Sequence, residues 1–104
     1  MTDQTPQDIL SAAADLIERT GWTQGANARN AEGCRHGATK KDAVCFCAIG
    51  AIVNICYTQG GSTASVANLL RSRIGSYEAI IDWNDHADRT KEEVIAALRG
   101  ASND

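Results

Sequence analysis

The sequence lacks both a long apolar run and a block of like charge. Its longest apolar stretch spans 15 residues, Ala43–Tyr57, whereas a helix that crosses a bilayer needs about 20. The 10 basic and 13 acidic side chains are scattered and give a formal charge of −3, so no basic patch for nucleic acid is present. We therefore predict neither membrane nor nucleic-acid binding.

The N-terminal segment MTDQTPQD also lacks the basic and apolar regions of an export signal. A cytoplasmic protein is expected, and its four cysteines should be reduced thiols, since disulfides are rare in that compartment. No internal repeat is visible. At 104 residues the chain predicts one domain over 1–104, with residues 1–4 and 101–104 mobile. No cofactor is predicted.

The stretch Ala43–Tyr57 predicts the centre of the fold. Asn54 is its only conventionally polar residue, and apolar residues on every side are typical of a helix buried all round. A buried strand has the same pattern, but strands usually run about 4 to 8 residues, so length favours a helix. Thr39 and Asp42 resemble a capping box. We therefore predict a central helix over about 40–57.

Helix signals also lie on both sides of this stretch. They predict four further helices, which are Thr5 to Gly21, Ser62 to Gly75, a short one from Tyr77 to Trp83 capped by Ser76, and one from Thr90 to Gly100. The short one places Tyr77, Ile80, Ile81 and Trp83 on its inward face, and a strand is the alternative for it. Between the first two helices lies a long Gly-rich loop, 21–39, anchored by Trp22 as a compact excursion or an irregular hairpin. The predicted class is all-α, a small helical bundle.

Three blocks resemble a known family. They are ILSAAADLIERTGWTQG at 9–25, FCAIGAI at 46–52, and WND at 83–85 with Arg89, Thr90, Glu93 and Val94. In its GWTQG, CxxGA and WND motifs the chain is similar to an uncharacterised family of small bacterial and phage proteins, a domain of unknown function. The resemblance implies a phage or mobile-element accessory protein, such as an anti-defence inhibitor. It gives Cys34, His36, Cys45 and Cys56 no support, because Cys34–Gly37 departs from the family's pattern.

The cysteines suggest two kinds of chemical site, a zinc site and a cysteine nucleophile, and the alternative is that they are simply buried thiols. Cys34 and His36, with Cys45 and Cys47, offer zinc ligands, but pairs spaced by one residue do not match structural zinc sites. Cys47 near a helix N-terminus, with His86 and Asp85 or Asn84, could form a cysteine nucleophile, although burial would raise the pKa of its thiol. We favour a structural role in which CxxGA marks a close helix crossing at Gly50.

The hypothesis that we favour is a non-enzymatic protein-binding module. Trp22 and Trp83 each precede polar residues, so the 21–39 loop and the 83–89 turn could adjoin and form one recognition surface. The alternative is that both tryptophans are core residues. A calcium site over Asp82–Glu93 is disfavoured because Ala87 occupies the position that requires Gly. The predicted binding surface comprises Trp22, Gln24, Arg29, Arg35, His36, Asn84 and Asp85.

Overall fold

The structure is a computed structural model that describes residues 5–75 and 79–103. Its helices are α1 (Pro6–Arg19), α2 (Ala48–Gln59), α3 (Thr63–Ile74), α4 (Ile80–Asn84) and α5 (Lys91–Ser102). Three two-residue strands, β1 (Ala28–Arg29), β2 (Arg35–His36) and β3 (Cys45–Phe46), form an antiparallel sheet in the order β2-β1-β3. The chain is mostly helical, and the all-α prediction is wrong where the loop and the start of the apolar stretch form this sheet.

Local capping chemistry fixes the starts of the outer helices. Thr5 and Asp8 form a reciprocal capping box before α1, and Thr90 and Glu93 form another before α5. Each box gives partners to two backbone N–H groups that the helix itself leaves unbonded. These two boxes confirm the predicted helix starts.

The apolar stretch divides into a strand and a helix. Helix α2 begins at Ala48 rather than near residue 40, and Cys47 is its N-cap. Thr39 and Asp42 lie in the turns before β3 and do not cap it. Nor is the helix enclosed on all sides, because Tyr57 in its last turn is 72% exposed. The central helix is therefore shorter and more open than predicted.

Two further boundaries differ from the predictions. The short helix α4 starts at Ile80 with Ala79 as N-cap, and the proposed cap Ser76 and start Tyr77 lie outside the described residues. Helix α5 continues past Gly100 to Ser102, whose Oγ donates to the carbonyl oxygen of Gln7 at 2.9 Å. Ala101 is buried against the core, so glycine does not end this helix.

The core lies where α1 packs against α5, α2 and α3. Its largest fully buried apolar side chains are Ile9, Leu10, Ile17, Ile52, Val66, Leu70, Val94 and Leu98. The small sheet lies beside the N-terminus of α2, where Phe46 is also buried. Among the described residues, every helix is too short or too polar to cross a membrane.

The N-terminus of α2 makes a very close approach to the loop before β1. The backbone N–H of Cys47 donates to the Asn27 carbonyl oxygen at 3.0 Å. A side chain at Gly50 would overlap that oxygen and lie 2.8 Å from the Asn27 carbonyl carbon. The motif CxxGA therefore does mark a close approach at Gly50, but the neighbour is loop backbone rather than a second helix.

We expect Gly50→Ala to lower the free energy of unfolding by about 2 kcal/mol or more, because the added methyl group forces backbone apart in a packed region. Gly100→Ala is the matched control. Its methyl group would lie 3.6 Å from Arg73 Nε, and alanine is the better helix former by up to about 1 kcal/mol. Chemical denaturation measures both, and equal stabilities would contradict the close approach.

Candidate functional site

A single buried amide joins the start of the loop to helices α4 and α2. Asn84 is fully buried at the end of α4. Its Oδ1 accepts from Trp22 Nε1 at 2.7 Å and from the backbone N–H of Ala48 at 2.9 Å. Its Nδ2 donates to the Thr23 carbonyl oxygen at 3.1 Å and to Asp85 Oδ1 at 2.9 Å. The side chain thus makes four hydrogen bonds, as many as an amide of this kind readily supports.

Neighbouring contacts extend this connection. Gln24 Nε2 donates to the carbonyl oxygens of Asn84 at 3.0 Å and His86 at 2.8 Å. The backbone N–H of Gly25 donates to Asp85 Oδ1 at 3.1 Å. The start of the 21–39 loop and the turn after α4 are therefore in contact. We call the hydrogen-bonded set Trp22–Gly25 with Asn84–His86 the amide interlock.

Two arginines brace the interlock from either side. Arg29 in β1 donates from Nε to Thr23 Oγ1 and from both terminal nitrogens to the carbonyl oxygens of Gln24 and Gly33, at 2.9 to 3.0 Å. Arg89 donates to the Trp83 carbonyl oxygen at 3.0 Å, and its guanidinium lies 4.2 Å from the centre of that indole ring. Trp83 itself is buried, with 8% of its surface exposed. Both indole side chains therefore have a structural role, Trp22 within the interlock and Trp83 beside it.

The predicted binding residues consequently fall into two groups. Four have polar atoms committed to hydrogen bonds within the fold, namely Trp22, Gln24, Arg29 and Asn84. The other three line one cleft of about 520 Å³ between the sheet and α4. Its lining comprises Gly25, Ala26, Asn27, Arg35, His36, Ile81, Asp82 and Asp85.

The cleft carries both signs of charge around an apolar side chain. Strand β2 contributes Arg35 and His36, whereas α4 contributes Asp82 and Ile81, and Asp85 follows it. Ile81 is 39% exposed, which contradicts its predicted place on the inward face of the short helix. Ile80 and Trp83, three residues apart, are buried instead, because a side chain one residue on points about 100° away.

The cleft residue His36 makes a side-chain hydrogen bond that sequence reasoning missed. His36 Nε2 lies 2.5 Å from Asp42 Oδ1. This hydrogen bond, more than any other influence, holds the pKa of the exposed Asp42 carboxyl below its ordinary value. The pair fixes the imidazole of His36 at the cleft. Its one available signal in the sequence was the six-residue spacing across a glycine turn.

The cysteines are dispersed rather than gathered. Cys34 is exposed, Cys45 and Cys56 are half-buried, and Cys47 is buried. Cys47 Sγ accepts from the Gly50 N–H at 3.2 Å, as an N-cap does, and lies 3.9 Å from Asn27 Oδ1. Burial raises the pKa of the Cys47 thiol, so it is protonated near neutral pH. Within 5–75 and 79–103, no three of the histidine, cysteine and acidic side chains group as metal ligands would.

Comparison with known proteins places the chain in one family. The model of DUF6197, described as a family of unknown function, matches residues 1–104. Neither the curated proteins nor the solved structures contain a match to the chain.

We expect Asn84→Asp to destabilise the fold by about 3 kcal/mol or more at neutral pH, because a buried charge would replace the amide donor. Burial raises the pKa of a carboxyl, so the loss should shrink as the pH falls and the new side chain regains a proton. Asn30→Asp is the matched control. Asn30 Oδ1 accepts from the N–H groups of Glu32 and Cys34, and a carboxylate oxygen of aspartate can accept the same two hydrogen bonds. Denaturation of both variants at pH 5 and pH 7 measures this, and similar losses would contradict the interlock.

The thiols should differ sharply in reactivity towards a disulfide reagent near neutral pH. We expect Cys34 to react rapidly, and Cys34→Ser to remove that rapid phase. Cys47→Ser should leave the native reaction unchanged, because the Cys47 thiol is buried and protonated. Serine also retains the capping role. Loss of a rapid phase in Cys47→Ser would instead favour a cysteine-dependent enzyme.

Proposed function

We propose that this chain, which belongs to DUF6197, a family of unknown function, is a non-enzymatic protein-interaction module. Its binding surface is the cleft between the sheet and α4. The observation that carries the proposal is the composition of this cleft, in which charged Arg35, Asp82 and Asp85 line the same hollow as the exposed Ile81. Protein-binding surfaces usually combine apolar side chains with polar ones in this way.

The support beneath the cleft favours binding without rearrangement. Asp85 lines the cleft while its Oδ1 accepts from Gly25 N–H and Asn84 Nδ2. Gly25 lines the cleft as well, so both walls are tied to the amide interlock. A surface whose backbone is already fixed loses less conformational entropy when a partner binds. We therefore assign a positioning role to the interlock residues other than Asp85, with Arg35, His36 and Asp85 as contact residues.

An enzymatic function has less support. A cysteine nucleophile reacts as a thiolate, whereas burial of Cys47 raises the pKa of its thiol and its sulfur caps α2. Asn84, proposed as a partner of His86, has both ends of its amide occupied. For the zinc alternative, His36 is engaged by Asp42. The alternative enzyme or zinc protein stays a hypothesis that the thiol reaction tests.

The biological setting follows from the family resemblance alone. It suggests a cytoplasmic accessory or anti-defence inhibitor from a phage or mobile element. An inhibitor of this kind needs a preformed surface and no chemistry of its own, which agrees with a cleft supported by a buried network. We propose a protein partner, rather than nucleic acid, on the formal charge of −3.

A binding experiment tests the cleft directly. We expect tagged protein to retain a partner from a lysate of its native host, and Arg35→Glu or Asp82→Lys to weaken that binding at least about tenfold, because each reverses a charge at the cleft. Lys91→Glu is the matched control for Arg35→Glu, since it makes the same change of charge in the first turn of α5, where acid is favoured. Quantitative mass spectrometry followed by titration of the purified partner measures the effect. Equal binding by all variants would contradict the proposal.

A further inference from the structure

A second, apolar groove adjoins the cleft. It has a volume of about 340 Å³ and lies among the first turn of α2, helix α3 and the start of α4. Its lining is Ile49, Ala67, Arg71, Ala79, Ile80 and Ile81. Ile81 lines both hollows, so a single extended segment could contact the cleft and the groove together.

Among the described residues that line the groove, Arg71 is the only charged one. Its Nε is buried and, within the part of the chain that the structure describes, has no hydrogen-bond acceptor. Buried polar groups in proteins nearly always have a partner, and a buried donor of an arginine side chain is best satisfied by a carboxylate. The Arg71 side chain lies beside apolar lining residues, which on their own would favour an apolar ligand.

We infer that the groove binds a segment of the partner protein in which an acidic residue is flanked by branched apolar ones. The carboxylate accepts from the guanidinium group of Arg71, and an apolar side chain lies against Ile49 and Ile80. This inference rests on the proposed function and names the chemistry of the partner. Charge complementarity selects this occupant, because a purely apolar partner would cover the Arg71 guanidinium group without giving it an acceptor.

Two short peptides test the carboxylate. The probes are acetyl-Ile-Glu-Leu-amide and the isosteric acetyl-Ile-Gln-Leu-amide, titrated into the full chain with ¹⁵N-labelled arginine side chains and backbone. We expect the Glu peptide to shift the Arg71 Nε–H signal and the Ile80 backbone amide signal. Its affinity from these shifts should be at least tenfold higher than that of the Gln peptide, since charge-assisted hydrogen bonds are the stronger kind. Equal affinities, no binding at millimolar peptide, or shifts confined to the cleft residues would overturn the inference.

Arg71→Lys tests the donor itself. Lysine keeps the charge but lacks the planar fork of arginine, so the preference for the Glu peptide should fall at least fivefold. Arg73→Lys is the control on the same helix and should keep the full preference, and backbone spectra verify that both variants are folded. N-acetyl-leucine that binds as tightly as the Glu peptide would indicate a small-acid site, and dimerisation that buries the groove would indicate a second copy of the chain. Either result overturns the inference.

The outcome for the groove can be separated from the outcome for the cleft. A natural partner whose binding is weakened by Arg35→Glu but not by Arg71→Lys would leave the proposed function standing and overturn the inference. A partner weakened by both variants supports both. Selective binding of the Glu peptide without any cleft-dependent partner would overturn the proposed function and retain the carboxylate chemistry of the groove.

Discussion

The rest of the structure depends on the hydrogen bonding of one buried amide. Asn84 has no contact with solvent, so each of its polar atoms requires a partner within the fold. Those partners come from Trp22, Thr23, Ala48 and Asp85. The partner from Ala48 is its backbone N–H at the N-terminus of α2, where the helix itself provides no acceptor. Displacing any of these segments would leave a buried donor or acceptor unpaired.

The same constraint gives the small sheet its function in the fold. Strand β3 leads directly into α2, and its Phe46 exchanges backbone hydrogen bonds with Gly21 and Thr23. Because β1 lies between β2 and β3, the strand that carries Arg35 and His36 is held in register with the start of the central helix. The cleft residues of β2 and those of α4 are therefore positioned by one connected set of hydrogen bonds.

Local signals in the sequence were sufficient for the features that involve residues close together. Thr5 with Asp8 and Thr90 with Glu93 could be recognised because each pair interacts across three residues. The strand Cys45–Phe46 could not, since its partner β1 lies about 17 residues earlier and a buried strand and a buried helix share one apolar pattern. The acceptor of the Trp22 indole N–H lies 62 residues away. The sequence alone does not specify a pairing at that distance.

Burial also decides which polar residues are free to take part in function. A side chain whose donors and acceptors are committed within the fold, such as Asn84 or Arg29, cannot exchange them with a ligand without destabilising its neighbours. A buried thiol such as Cys47 is likewise kept neutral. Asn84 and Cys47, the residues of the motifs with the most chemical potential, therefore have structural roles. The proposed binding surface therefore draws on residues outside the motifs, chiefly Arg35, Ile81 and Asp82, which line a cleft with charges of both signs and an exposed apolar side chain.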